Sequence, residues 1–118
     1  MFLVDTCIFI DFFRGKKDRR FIHMVNEGEV SLSSIVKLEL IQGARAQEVP
    51  SLKRVLSGFP ELVIDETIVQ IAEEIVMKIK PKGFTVGVPD LLIAAQSVRF
   101  KQKVYTHDQL LLKILSKL

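Results

Sequence analysis

Apolar residues along the chain fall into short runs and into longer stretches with helical spacing. Short, mostly apolar runs predict strands at residues 1–4, 29–32, 61–65 and 103–106. Stretches in which apolar residues recur every three or four positions predict helices at residues 6–14, 17–28, 34–44, 51–58, 66–80, 90–101 and 108–117. Strands therefore alternate with helices along the whole sequence.

Several residues mark where the predicted helices begin and end. Gly15 and Gly28 end the first two helices, and Ser33 or Ser34 is placed to cap the third. Asp65 is placed to cap the long helix that follows, which should end before Pro81 because the residue preceding proline avoids helical geometry. We predict a loop over residues 81–89.

Strands separated by helices favour a parallel sheet covered on both faces. We therefore predict an α/β fold with three layers, α/β/α. The length of 118 residues is that of one domain, residues 1–118, and no internal repeat or linker divides it. In such folds, binding sites form beyond the carboxyl ends of the strands.

Acidic residues follow these predicted strand ends. Asp5 comes directly after the first strand, and Asp108 lies just past the last. Asp90 opens a predicted helix after the Gly/Pro-containing loop, and Glu39 lies about a turn and a half into the helix after the second strand. We expect this topology to bring the four carboxylates to one edge of the sheet.

Each acid also has a simpler explanation. Asp5, Asp90 and Asp108 could each cap the helix that follows, a role that Asp fills well. Glu39 is interior to its helix, and no cation stands three or four positions from it. Its simpler explanation is a side chain that reaches solvent or pairs with a distant Lys or Arg.

Four carboxylates at one place would repel one another unless a cation lay among them. The sequence has one cysteine and two histidines, which are too few ligands for a typical transition-metal site. Oxygen ligands suit a hard divalent cation, Mg²⁺ or Mn²⁺. Such an ion can activate water and neutralise charge on a phosphodiester, so the residues indicate metal-dependent phosphoryl chemistry.

Composition and charge narrow the class of protein. An apolar content of 48% with 26% charged residues is typical of a folded globular protein. The single Cys7 excludes an internal disulfide, and the early charge at Asp5 does not fit a signal peptide. No apolar run is long enough to span a membrane. We expect a cytoplasmic protein.

The net charge of +3 arises from one short segment, residues 14–20, which carries a net charge of +4. Such a cluster can contact a phosphate backbone, and it can equally be a solvated helix start that keeps the protein soluble. The candidate substrate-binding residues are its five cations, Arg14, Lys16, Lys17, Arg19 and Arg20.

Four blocks of the sequence resemble the PIN-domain family, specifically its VapC-type ribonuclease toxins. "LVDTCIFIDFFRG" is similar to the first strand and helix of that family, and "LSSIVKLELIQGA" to its second block, where Ser33 precedes the acid by six residues. "PDLLIAAQS" and "VYTHDQLL" resemble the third and fourth blocks. The blocks stand in the right order and cover nearly the whole chain.

The resemblance implies a sheet of four or five parallel strands and a Mg²⁺- or Mn²⁺-dependent endoribonuclease. Carried over by position, Asp5, Glu39 and Asp90 would be metal ligands and Asp108 the fourth acid. Thr6 and Thr106 match hydroxyls that support the acids. The family also implies an RNA substrate, a homodimer and a VapB-type antitoxin partner.

Two positions depart from the family pattern. Cys7 stands where Asn is common, and Leu111 stands where many members carry an Asp. His107 lies between two candidate site residues and could contact the substrate, whereas His23 is expected to be structural or solvated. The Phe-rich stretch at residues 8–13 is expected in the core or a dimer interface.

Two alternative functions stay open at this level. The first is a structure-specific DNA nuclease, although the chain has no long insertion to thread DNA. The second is a non-catalytic RNA-binding or interaction domain that retained the fold. A phosphoacceptor receiver domain is disfavoured, because only Asp5 follows the first strand directly.

Overall fold

The computed structural model describes residues 1–118 and contains four strands and seven α-helices. The strands are β1 (Phe2–Val4), β2 (Val30–Ser33), β3 (Glu61–Leu62) and β4 (Lys103–Tyr105). The helices are α1 (Thr6–Phe13), α2 (Arg19–Asn26), α3 (Ser34–Gly43), α4 (Val49–Leu56), α5 (Glu66–Ile79), α6 (Val88–Phe100) and α7 (Gln109–Leu115). Short 3₁₀ turns precede α4 and follow α5.

All strand pairs in the sheet are parallel, in the order β3-β2-β1-β4. Leu3 of the central strand β1 is aligned with Ser31 on one side and Val104 on the other. Successive side chains of a strand point to opposite faces, and both Leu3 and Val4 are fully buried. Helices therefore cover both faces, and the predicted three-layer fold with four parallel strands is confirmed.

The core consists of two apolar clusters. The larger one joins the sheet to α1–α4, α6 and α7 and includes the edge-to-face pair Phe9 and Phe21, whose ring centroids lie 5.4 Å apart. The smaller one joins α5, α6 and α7 around Ala94 and Ala95, which are fully buried. These small side chains let α6 approach its neighbours closely, which fixes the position of its first turn.

Element boundaries differ from prediction at three places. Strand β3 has two residues instead of five, because its partner β2 ends at Ser33, which is aligned with Leu62. Beyond this point the buried Gln96 amide donates to the carbonyl oxygens of Leu62 and Val63 at 2.8 and 3.2 Å. Helix α4 begins two residues earlier than predicted, since proline is tolerated in the first turn.

The predicted loop at residues 81–89 is also shorter than expected. The chain continues from α5 into a 3₁₀ turn through Pro81, and α6 begins at Val88 with Pro89 in its first turn. Asp90 therefore lies within the first turn of α6 and does not cap it; Gly87 occupies the cap position. None of the helices combines the length and apolar character needed to cross a membrane.

Candidate active site

Asp5 is the most deeply placed of the four predicted acids, with 7% of its surface exposed at the end of β1. Its Oδ1 accepts a hydrogen bond from the Thr6 backbone N–H at 2.8 Å, so it caps α1. Its Oδ2 accepts a hydrogen bond from the Thr106 hydroxyl at 2.7 Å. The cap role and the predicted site role therefore coexist in one side chain.

Thr106 joins the two central strands at this edge. Besides donating to Asp5, its hydroxyl oxygen accepts a hydrogen bond from the Asp108 backbone N–H at 3.0 Å. Asp108 in turn caps α7, with Oδ1 accepting from the Leu111 N–H at 3.1 Å. One buried hydroxyl thus holds the loop of the fourth acid against the first acid.

Glu39 is half-buried on α3, and its contact comes from α1. The Thr6 hydroxyl donates to Glu39 Oε1 at 2.8 Å. Because Thr6 directly follows Asp5, this bond places the two carboxylates beside each other. Neither a Lys nor an Arg pairs with Glu39, so the simpler explanation of a distant cation is wrong.

Asp90 shares the electrostatic environment of the other three acids. Burial, and after it the negative charges of Asp5, Asp108 and Glu39, together raise the pKa of its carboxyl to about 6. None of the four acids takes part in an ion pair. The structure therefore brings together all four predicted acids without a protein cation to offset their charge.

The chemistry of this donor set fits a hard divalent cation, because every side chain offers carboxylate oxygen. The side chains are not arranged as a finished coordination shell: no group of three or more His, Cys, Asp or Glu is placed to hold an ion. The two threonine hydroxyls each occupy a carboxylate oxygen, at Glu39 and Asp5. A shared ion would thus require side-chain rotation within an otherwise assembled site.

Cys7 lies against the same cluster. Its Sγ is 3.7 Å from Asp5 Oδ2 and 3.7 Å from the Thr106 hydroxyl oxygen. Burial raises the pKa of this thiol, and the nearby Asp5 charge acts in the same direction. Cys7 therefore behaves as a packed thiol at the place where the family often has an amide.

The five predicted substrate-binding cations are all exposed. The guanidinium of Arg20 lies over the Tyr105 ring at 5.0 Å, and Lys16 pairs with Asp11 at 3.5 Å. Arg14 lines a groove between α1, α3 and α4. No structural contact joins Lys17 or Arg19 to the acids, so their role stays a prediction.

Asp18 and Tyr105 form a link that the sequence analysis missed. Asp18 Oδ1 accepts from the Phe21 N–H at 3.0 Å and so caps α2, while Oδ2 accepts from the Tyr105 hydroxyl at 2.6 Å. Burial, together with the hydrogen bond to the Asp18 carboxylate and its charge, raises the pKa of Tyr105 to about 12. The pair anchors the basic segment to β4. An Asp three residues before Phe21, the first apolar residue of the helix, was the available signal for the cap.

His107 is exposed, and its Nε2 lies 3.8 Å from Asp18 Oδ2. It therefore lies beside the Asp18–Tyr105 pair at the rim of the site, and contact with substrate stays a prediction.

In the Phe-rich stretch, Phe9 is buried as expected, whereas Phe12 and Phe13 are 39% and 43% exposed.

The sequence profile of the PIN domain family matches residues 2–114. The chain is 30% identical over 93 residues to a protein named Ribonuclease VapC3 from Methanocaldococcus jannaschii, covering 79% of this chain and 94% of that one. It is 28% identical over 101 residues to Ribonuclease VapC19 from Mycobacterium tuberculosis, covering 83% and 81% of the two chains.

Solved structures share the fold over nearly the whole chain. FitAcB from Neisseria gonorrhoeae superposes with a TM-score of 0.81 at 23% identity, covering 98% of this chain and 94% of that one. VapBC2 from Rickettsia felis, bound to a DNA fragment from its promoter, gives 0.80 at 19% identity and covers 96% and 92%. At these identities the likeness concerns the fold alone.

Proposed function

This chain belongs to the PIN domain family, and from that premise we propose that it is a divalent-metal-dependent endoribonuclease and the toxin of a toxin–antitoxin pair. One observation carries the proposal. Four carboxylates meet at the carboxyl edge of a parallel sheet, two of them are held by threonine hydroxyls, and no protein cation compensates them.

Asp5, Glu39 and Asp90 would hold the ion, Mg²⁺ or Mn²⁺, and Asp108 would complete the acidic site. Such an ion, when bound, supplies an activated water and neutralises charge that develops on the phosphodiester. Thr6 and Thr106 orient carboxylates through the bonds described above. They reduce the freedom of these side chains before substrate arrives, and preorganised polar groups of this kind make a large contribution to catalysis.

The basic segment supplies the substrate contact in this proposal. Its five exposed cations would contact the RNA backbone, and the Asp18–Tyr105 hydrogen bond would keep the segment beside the end of β4. Because these contacts are to phosphates, we expect the affinity for RNA to fall steeply with salt concentration.

Named relatives support an antitoxin as partner. Structures with the same fold include a toxin–antitoxin complex from Klebsiella pneumoniae and DNA-bound VapBC from Salmonella typhimurium. Here, the groove between α1, α3 and α4 has a volume of about 690 Å³, six of its eleven lining residues are hydrophobic, and Arg14 and Glu48 are among the others. We assign this groove to a segment of the antitoxin.

We also propose a homodimer located in the cytoplasm, where an RNA substrate would be met. Leu38 of α3, Val63 after β3 and Val69 of α5 are 59%, 60% and 44% exposed. Leu38 and Val63 lie on neighbouring elements, since the Lys37 side chain of α3 donates to Glu61 of β3 at 3.0 Å. Light scattering on the purified chain, compared with Leu38→Glu, tests this assembly.

The test of activity is cleavage by the purified chain of RNA, single-stranded DNA and double-stranded DNA, with Mg²⁺, Mn²⁺ or EDTA. We expect cleavage of RNA only, in the presence of metal, and loss of cleavage in Asp5→Asn and Glu39→Gln. Glu73→Gln, an exposed substitution on α5, is the matched control. DNA cleavage would favour the flap-type nuclease, and RNA binding without cleavage would favour the non-catalytic domain.

A further inference from the structure

A small cavity next to the acidic site has no role in the function proposed above. We name it the Phe84 pocket; it has a volume of about 190 Å³ and is lined by Val76, Ile79, Lys80, Phe84, Thr85, Val86 and Leu91. It lies between the end of α5, the following turn and the first turn of α6. Most of its lining is apolar, with one aromatic ring.

The Phe84 pocket contacts two helices that begin at the acids, α6 with Asp90 in its first turn and α7 with Asp108 as its cap. Leu91 in its wall directly follows Asp90 in the first turn of α6. Lys113, on the helix that Asp108 caps, places its Nζ 5.4 Å from the centroid of the Phe84 ring. The pocket therefore shares helix α6 with Asp90, and the helix that Asp108 caps contacts its aromatic ring.

The backbone turn that forms the pocket is well defined. Gly83 has a φ of +84°, in the left-handed region that glycine adopts without strain. The Phe84 N–H then donates to the Ile79 carbonyl oxygen at 3.3 Å, which turns the ring back against the end of α5. The position of the ring is therefore set by the helix ending and not by a free loop.

One lysine, Lys80, lines the pocket, and two more stand within two residues of it in the sequence. The segment "KIKPK", residues 78–82, contains three lysines and no acid. Lys78, Lys80 and Lys82 are exposed, and none of them takes part in an ion pair. This second basic segment lies between Glu39 and Asp90 in the sequence, whereas residues 14–20 lie between Asp5 and Glu39.

An aromatic ring in an apolar cavity with lysines around it matches the chemistry of a nucleotide. Bases stack on aromatic side chains, and cations bind the phosphates on either side. We propose that the Phe84 pocket binds one nucleobase of single-stranded RNA next to the bond that is cleaved, with Lys80 and Lys82 on the flanking phosphates. The inference rests on the proposed ribonuclease function, and it makes this pocket a determinant of target sequence.

The pocket wall also packs on the core, since Phe84, Val86 and Leu91 contact the cluster around Ala94. The test must therefore keep apolar packing while removing the ring, and Phe84→Leu does so. Phe100→Leu is the matched control. Phe100 is 37% exposed at the opposite end of α6, about 15 Å from Asp90 along a helix that rises about 1.5 Å per residue.

The experiment measures cleavage of single-stranded RNA oligonucleotides of randomised sequence, with sequencing of the cut ends. We expect Phe84→Leu to raise KM about tenfold through lost stacking and to relax the base preference at one position beside the cut. Phe100→Leu should have the same KM and the same base preference as the unmodified chain. Replacing Lys80 and Lys82 with Gln should reduce the slope of log affinity against log salt by about 1.4, since each phosphate contact contributes about 0.7 on single strands.

Other outcomes would overturn the proposal. Unchanged KM and cut-site preference in Phe84→Leu, with RNA still cleaved, would reject the pocket and leave the ribonuclease function standing. A changed oligomeric mass with unchanged KM would assign the pocket to an interface between copies of the chain. Absence of RNA cleavage by the unmodified chain would reject both the function and the pocket.

Discussion

Replacing Asp90 with Asn should stabilise the metal-free protein at neutral pH while removing its activity. The pKa of Asp90 is raised from 3.8 to about 6, by burial first and then by the three neighbouring carboxylates. The folded state therefore bears the cost of an ionised Asp90 that the unfolded chain does not. Asparagine has nearly the same shape and carries no charge.

The size of the effect follows from this rise in pKa. One pKa unit corresponds to about 1.4 kcal/mol, so the full rise sets an upper limit of about 3 kcal/mol. Asp90 is only half-buried, and solvent screening reduces this to about 1–2 kcal/mol. The Asp90 charge also interacts favourably with the dipole of α6, and losing this interaction offsets about 0.5 kcal/mol of the gain. We expect a net gain of about 1 kcal/mol, or about 4 °C in Tm.

The pH dependence of the free energy of unfolding tests the sign of this change. Between about pH 4 and pH 6 the folded state retains a proton on Asp90 that the unfolded state has released, so the free energy of unfolding falls as pH rises. Below the unfolded pKa both states are protonated and the penalty vanishes. Asp90→Asn should therefore match the unmodified chain near pH 4 and exceed it at pH 7.

The assay is thermal unfolding in EDTA across this pH range, followed by Mg²⁺ addition at pH 7. Mg²⁺ should raise the Tm of the unmodified chain more than that of Asp90→Asn, because binding to the folded state stabilises it. Glu73→Gln on the exposed face of α5 is the control for a lost acid. Mutual repulsion among the acids would be refuted if metal-free Asp90→Asn had a lower Tm than the unmodified chain at pH 7. It would also be refuted if the difference in Tm between the two did not change with pH.

Three further predictions follow from single contacts. Thr106→Val removes the hydrogen bond to Asp5, so it should lower the free energy of unfolding by about 1–3 kcal/mol and also lower kcat. Thr106→Ser retains the hydroxyl and should leave stability and kcat unchanged. Chemical unfolding and RNA cleavage measure the two effects. Tyr105→Phe removes only the donor to Asp18 and should raise KM for RNA more than it lowers kcat; equal loss in both would contradict an anchoring role. Val55→Asp places a charge in the groove between α1, α3 and α4 and should weaken antitoxin binding in titration calorimetry while leaving RNA cleavage unchanged.

The sequence was sufficient to predict the positions that depend on strand ends. Asp5 follows β1 directly and Asp108 lies three residues past the end of β4, and parallel neighbours in a sheet place their carboxyl ends at the same edge. Both also cap helices, so the two explanations offered for them were never exclusive. A cap needs one carboxylate oxygen, and Asp108 retains its other oxygen for another partner.

Contacts that depend on how helices pack could not be read from spacing. The hydrogen bond of Glu39 comes from Thr6, 33 residues earlier, and exists only because α1 and α3 pack side by side. The Asp18–Tyr105 bond likewise joins residues 87 apart. Periodicity gives the face that a side chain occupies on its own helix, and it contains no information about the partner opposite.

The hydroxyl contacts explain how a repulsive cluster persists in so small a fold. Thr6 and Thr106 each donate to a carboxylate, and such charge-assisted bonds are about twice as strong as neutral ones. They fix the positions of the Glu39 and Asp5 carboxylates, while burial and the neighbouring charges raise the pKa of Asp90 to about 6. Neither Asp90 nor Asp108 receives a hydroxyl hydrogen bond on its carboxylate. We therefore expect a divalent cation to offset the repulsion at Asp90, and Asp90→Asn to weaken Mg²⁺ binding.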